Sequence, residues 1–284
     1  MTSSIQLLII DPQNDFCDLP PDWWPRDPHT SQPMAPALPV AGAHQDMQRL
    51  AGFMRQAQRA LLSVTITLDS HHVFDIAHPA FWWSRGEQPV APFTSITAAQ
   101  VRAGEYSPRS AAARPKVLSY LDTLEATGRY QLMVWPTHCV TGTWGHNLHA
   151  DIAQAAQAWE QHQQQAVRYL FKGLNPWTEH YSAFQAEVPD LTDPDTGLQE
   201  AALAHLDTAE LLLVAGQASS HCVRASVEHL VAHLPSGRPQ RIVLLTDCMS
   251  PVTGFEPAAQ TFFDTMQAQG VRLATSTQAL DRLF

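Results

Sequence analysis

Basic residues are scarce in this chain. Lysine and arginine number 17 against 27 aspartates and glutamates, a formal net charge of −10. An acidic surface with no basic run argues against nucleic acid and against an anionic membrane as a partner. Charge of either sign is sparse, 15% of 284 residues, while 45% are hydrophobic. That is the balance of an ordinary soluble globule, long enough for one large domain. Long apolar runs are missing, and no stretch approaches the ~20 residues of a membrane span. The opening MTSSIQLLIIDPQ has no basic segment ahead of its short apolar run, so it reads as a first strand rather than a signal peptide. Cysteine is limited to Cys17, Cys139, Cys222 and Cys248, far apart and without a CxxC pair. In a chain of this size they read as free thiols in a reducing compartment, and a cytoplasmic protein is expected. There is no internal repeat, and the only compositional bias is a Gln/Ala-rich stretch near 144–165.

What is present is an alternation. Short apolar runs at Ile5 to Ile10, Leu62 to Leu68, Tyr130 to Val134, Ala166 to Phe171, Leu211 to Val214 and Arg241 to Leu245 read as strands. Val271 to Ala274 is a candidate seventh strand or a terminal extension. Helical periodicity separates the runs, as at Met47, Leu50, Phe53, Met54, Ala57 and Leu61, and at Val223, Val227, Leu230 and Leu234. Strands alternating with helices predict an α/β fold: a doubly wound, mostly parallel six-stranded sheet with helices on both faces. One domain over 1–284 is expected, with insertions near 19–39, 74–115 and 144–165. The first is too rich in proline for a helix. The second is an irregular stretch longer than compact domains usually carry without a functional reason.

The unusual polar residues fall at one kind of place. Asp11 follows the first strand, Asp69 and His71 the second, His138 the third, Lys172 the fourth and Cys222 the fifth. Carboxyl ends of parallel strands share one edge, where open α/β sheets bind ligands. Alone, each has a bland reading: a turn cap, a surface lysine, a loop histidine, an inert buried cysteine. Together they form two chemical groups. Cys222 opens a helix, whose positive end favours thiolate. Asp11 can take the thiol proton and return it to a leaving amine, and Lys172 can lower the thiol pKa. Asp69, His71 and His138 supply a carboxylate and two imidazoles, a donor set for one divalent metal ion: zinc first, iron or manganese as alternatives. His78 is left open as a further ligand or a second-layer partner. His72 reads as a packing or surface residue.

Five segments carry a resemblance: LIIDPQNDFC, TLDSHH, WPTHCVTGTWGHNLH, FKGLNPWTEHYSAF and VAGQASSHCVRASVEHL. In these the chain resembles the nicotinamidase branch of the isochorismatase-like cysteine hydrolases. The resemblance implies an Asp11/Lys172/Cys222 triad beside a metal held by Asp69, His71 and His138. It implies a cis peptide at Gln217–Ala218, with the Ala218 and Cys222 amides forming an oxyanion hole, and Phe16 and Trp135 sandwiching a substrate ring. It also implies hydrolysis of a small carboxamide such as nicotinamide, as in NAD salvage, through a thioester. The expected partners are the small-molecule amide substrate and second copies of the chain, in a homo-oligomer. The chain departs from the pattern in its length and after TLDSHH, where His78 is shifted. Two alternatives are carried forward: a hydrolase of another small amide or N-carbamoyl compound, and a non-catalytic metal or small-molecule binding protein on the same fold.

Overall fold

The computed structural model describes residues 4–283. Its frame is a six-stranded parallel sheet: β1 (Ile5–Ile10), β2 (Leu61–Asp69), β3 (Arg168–Lys172), β4 (Leu211–Gly216), β5 (Ile242–Leu245) and β6 (Arg272–Ala274). The spatial order is β6-β5-β4-β1-β2-β3, with every neighbouring pair parallel. The chain thus winds outward from β1 to one edge, returns to the middle at β4, and winds outward to the other edge. The reversal lies between β1 and β4, and a crevice opens at the carboxyl ends of strands on either side of such a switch.

The period-2 alternation of β1 divides the interior. Ile5, Leu7 and Ile9 face one core, shared with α1 (Ala43–Ala57), α3 (Ala150–Gln163) and α7 (Ser276–Leu283). Leu8 and Ile10 face the other, shared with α4 (Glu200–Leu206), α5 (Cys222–His233) and α6 (Glu256–Ala268). The Gln/Ala-rich segment therefore belongs to the frame: α3 is the crossover helix that packs on α1 and leads into β3. Its Trp159 is 1% exposed and donates its indole N–H to the Leu61 carbonyl at 3.0 Å. No helix among the described residues is long and apolar enough to cross a membrane.

One strand assignment needs correcting. The run before His138 was expected in the parallel sheet. Leu132–Val134 instead pairs antiparallel with Thr94–Ile96, outside that sheet, and the C-terminal Arg272–Ala274 supplies the sixth strand. The reason is a third core. Ile76, Phe81, Trp82 and Ile96 of the 74–115 segment pack with Val117, Leu121 and Leu124 of α2 (Arg114–Thr127), and Leu132 and Val134 bury their side chains there. The inserted segment thus offers these residues both a hydrogen-bonding partner and an apolar face. It also forms a small antiparallel sheet from Trp82–Ser84, Gln88–Pro89 and Tyr106–Pro108.

Close approach at the switch point has one evident weak spot. Gly216 ends β4 with φ +124°, and a Cβ there would lie 2.0 Å from the Ile10 carbonyl oxygen. Gly216→Ala is expected to lower unfolding stability by about 3 kcal/mol or more, since neither the backbone angle nor the neighbouring strand can yield cheaply. Urea denaturation measures this; an unchanged midpoint would mean that β1 and β4 are not so tightly apposed.

Candidate active site

β1 stops at Asp11, whose φ of +43° turns the chain out of the sheet. Aspartate tolerates this left-handed conformation better than most residues. The turn is held by β2: the Asp11 amide donates to Thr67 Oγ1 at 3.0 Å, and the Thr67 hydroxyl donates to Asp11 Oδ1. Lys172 ends β3, and Cys222 is the first residue of α5. These three elements bring their side chains together. Lys172 Nζ lies 3.1 Å from Asp11 Oδ2 and 3.7 Å from Cys222 Sγ. It also lies 2.8 Å from Asp69 Oδ1 and donates to the His180 carbonyl at 2.9 Å. Asp11 is wholly buried and Lys172 is 2% exposed.

Buried charges at such distances fix one another's protonation. Burial disfavours the Lys172 ammonium, but Asp11 and Asp69 outweigh it and hold its pKa well above the usual value. Burial likewise raises Asp69, but His71 and Lys172 more than compensate and keep it well below the usual range. Burial wins at Asp11, whose pKa is raised despite Lys172. It wins at Cys222 too. Desolvation pushes the thiol well up, Lys172 opposes, and the negative charges of Asp11 and Asp69 add to the rise. Lys172 thus lowers the thiol pKa as expected, but burial outweighs it, and a base must take the proton during reaction.

Beside this trio sits the second group. His71 Nε2 is 3.1 Å and His138 Nε2 is 3.5 Å from Asp69 Oδ2. His78 joins them, its Nε2 3.2 Å from His138 Nδ1. Ligand-capable atoms of His71, His78 and His138 all lie within 4.8 Å of one another, and all three residues are buried. The donor set suits a divalent ion, with Asp69 Oδ2 the carboxylate oxygen that faces the imidazoles. His72, by contrast, is exposed.

The Gln217–Ala218 peptide is cis. The amides of Ala218 and Cys222 donate to no backbone carbonyl among the described residues. Phe16 and Trp135 line the same cleft as Cys222, with Leu38, Tyr181, His221 and Val252. The cleft is narrow, with about 30 Å³ of free volume. Part of its wall comes from the proline-rich segment, which returns to the site as Leu38 and Val40; their amides donate to the carbonyls of Asp15 and Phe16 at 3.0 Å each.

Sequence reasoning missed several neighbours. Asp75 Oδ2 lies 2.9 Å from His71 Nδ1 and orients that ring so that Nε2 faces Asp69. The i, i+4 spacing after TLDSHH was the available signal. Glu179 lines the cleft, fully buried, its Oε2 without a partner and its pKa raised by desolvation. Gln13 clamps Asp69 from both sides: Asp69 N donates to its Oε1 at 2.7 Å, and its Nε2 donates to Asp69 O at 2.8 Å.

No protein-family model matches the chain, and no curated protein does either. Solved structures do. A nicotinamidase/pyrazinamidase of Acinetobacter baumanii aligns with a TM-score of 0.63 at 20% identity, over 98% of this chain and 99% of that one. The yeast nicotinamidase bound to the inhibitor nicotinaldehyde aligns at 0.61 and 18%, over 95% and 99%. A pyrazinamidase of Pyrococcus horikoshii in complex with zinc aligns at 0.52 and 17%, over 96% and 99%. At such identities the likeness is one of architecture, and it spans both chains almost end to end: the protein has the isochorismatase-like hydrolase fold that these nicotinamidases share.

Proposed function

We propose that the protein is a cysteine amidohydrolase that cleaves a small carboxamide such as nicotinamide to the acid and ammonia. The observation that carries this reading is the Lys172 ammonium lying 3.1 Å from Asp11 and 3.7 Å from Cys222 Sγ, beside an aromatic-walled cleft. Asp11 removes the thiol proton as Cys222 attacks the carboxamide carbon, and Lys172 balances the charge that appears on sulfur. The Ala218 and Cys222 amides receive the oxyanion, each worth roughly 3–4 kcal/mol of barrier. Asp11 passes its proton to the departing ammonia, leaving a thioester. Water then attacks the thioester with Asp11 as base, and the thiol regains its proton from Asp11 as the acid leaves. Phe16 and Trp135 fit the role of ring-sandwiching walls. A divalent metal held by Asp69, His71 and His138, with His78 as a further donor, would supply Lewis acidity toward a ring nitrogen. Four free, buried cysteines suit a reducing, cytoplasmic setting.

The direct test is ammonia release from nicotinamide, pyrazinamide and N-carbamoyl amino acids, run beside metal analysis of the purified protein. Release from the pyridine and pyrazine amides supports the proposal. Release from the N-carbamoyl compounds alone moves the substrate class, and silence across the panel overturns the activity. Chelation is expected to weaken binding of the pyridine amide by tenfold or more, on the order of 1.4 kcal/mol. Titration calorimetry reads it, and unchanged affinity would count against Asp69, His71 and His138 as a ligand set.

A further inference from the structure

We propose that Phe93, carried by the 74–115 insertion, is a positioning residue: from outside the cleft it holds the Trp135 indole in place as the wall against which a substrate ring stacks, a role that rests on the reading of Trp135 as such a wall. Its backbone is anomalous. Phe93 has φ +63°, in the left-handed region, and follows Pro92 in a turn that leads into the strand Thr94–Ile96. With proline second and a positive φ third, the third place of such a turn normally takes glycine or asparagine. A bulky aromatic residue there is an outlier, and it persists only where something else maintains it. Burial does not, because Phe93 is 59% exposed. Two of the other non-glycine residues at positive φ lie at the active site: Asp11 at +43°, and Cys139, next to His138, at +47°.

What the Phe93 ring meets is Trp135. The two centroids lie 6.0 Å apart with their planes at 84°, an edge-to-face pair. Trp135 lines the cleft and Phe93 does not, so the contact reaches the indole from outside. The backbone fixes this placement. The Phe93 amide donates to the Val134 carbonyl at 2.6 Å, and Thr94 pairs with Val134, the residue before Trp135. Thr94 Oγ1 closes the turn by donating to the Ala91 carbonyl at 2.7 Å. The insertion thus delivers an aromatic ring to the indole. The indole has few other restraints. Its Nε1 donates to the Tyr181 hydroxyl at 3.2 Å, and His221, itself a cleft residue, meets it edge-to-face at 5.3 Å. A single hydrogen bond leaves a side chain free to pivot about it, and an edge-to-face neighbour opposes that motion. A wall already fixed in place spares the ordering cost that ring binding would otherwise carry.

Titration calorimetry with nicotinate, the acid product of the proposed reaction, and steady-state ammonia release from nicotinamide test this on the full chain. Phe93→Gly removes the ring and gives the turn the residue its backbone favours, so its melting temperature is expected to be no lower than the wild type's. Its nicotinate dissociation constant and its KM for nicotinamide are expected to rise about three- to tenfold, with kcat within about twofold. Phe93→Tyr keeps the edge contact and turns its hydroxyl to water, and is expected to bind as the wild type does. In a Trp135→Leu background, Phe93→Gly is expected to change affinity by less than about twofold, because the indole it acts through is gone. A lowered melting temperature in Phe93→Gly would make the ring a structural support and overturn the proposal. So would wild-type affinity in that variant, a tyrosine variant as weak as the glycine one, or an equal loss in the Trp135→Leu background. A wild type that binds nicotinate but releases no ammonia overturns the amidase reading alone, and one that neither binds nicotinate nor turns over nicotinamide overturns both.

Discussion

Cys222→Ala is expected to lower ammonia release from nicotinamide by about ten-thousandfold or more, while the protein stays folded. The size of the effect follows from the division of labour at the site. Without the sulfur no thioester forms, and what remains is direct attack by water, helped only by binding and the oxyanion donors. Lys172 and Asp11 cannot substitute, because neither is set to attack a carbon while each is held by the other at 3.1 Å. Folding is expected to survive for a separate reason. Cys222 is a small residue at the first turn of α5, whose position is fixed by Val223, Val227 and Leu230 in the core beneath the sheet. Removing one sulfur there costs about 1 kcal/mol, well inside the stability of a domain of this size. A coupled ammonia assay and a thermal melt separate the two quantities. Wild-type turnover by the alanine variant would remove Cys222 from the chemistry. A collapsed melting temperature would mean instead that the thiol supports the structure.

The residues that were legible in the sequence are those whose position follows from topology alone. Asp11, Asp69, Lys172 and Cys222 each sit at the carboxyl end of a strand in the main sheet or just beyond it. Parallel pairing is enough to gather them on one edge, with no knowledge of side-chain contacts. His138 reached the site by a route the sequence did not disclose. Its strand lies outside the main sheet, and an isolated bridge between His71 and Val140 ties its loop to β2 instead. Periodicity could not have revealed this, because a short apolar run pairs with whichever edge is nearest, and the 74–115 segment supplied one. Asp75 and Glu179 were hidden for a related reason. Both lie in irregular loops, where sequence spacing sets no direction for a side chain. The net direction of the Cys222 shift was not legible either: the lysine that lowers the thiol pKa is visible in sequence, whereas the depth of burial that outweighs it is not.

Lys172→Met is expected to cost about 3–5 kcal/mol of unfolding stability and nearly all activity, and a second substitution can pull the two losses apart. The lysine faces Asp11 at 3.1 Å and Asp69 at 2.8 Å, and all three side chains are almost fully buried. Removing the cation leaves Asp11 buried with no counter-charge and Asp69 with His71 alone, a costly way to break a buried ion pair. Replacing Asp11 by asparagine in the same chain removes one of those charges and keeps its shape. The double variant Lys172→Met/Asp11→Asn is therefore expected to regain a large part of the lost stability, a coupling of at least 1–2 kcal/mol in a double-mutant cycle. It should regain no ammonia release, because the group proposed to carry the proton is gone along with the cation. Urea denaturation and the ammonia assay give the two readouts. Additive stability losses would mean that Lys172 and Asp11 do not sense each other in solution. Recovery of turnover by the double variant would show that proton transfer at the sulfur runs through some other group, with Glu179, buried in the same cleft and its pKa raised by desolvation, the first to examine.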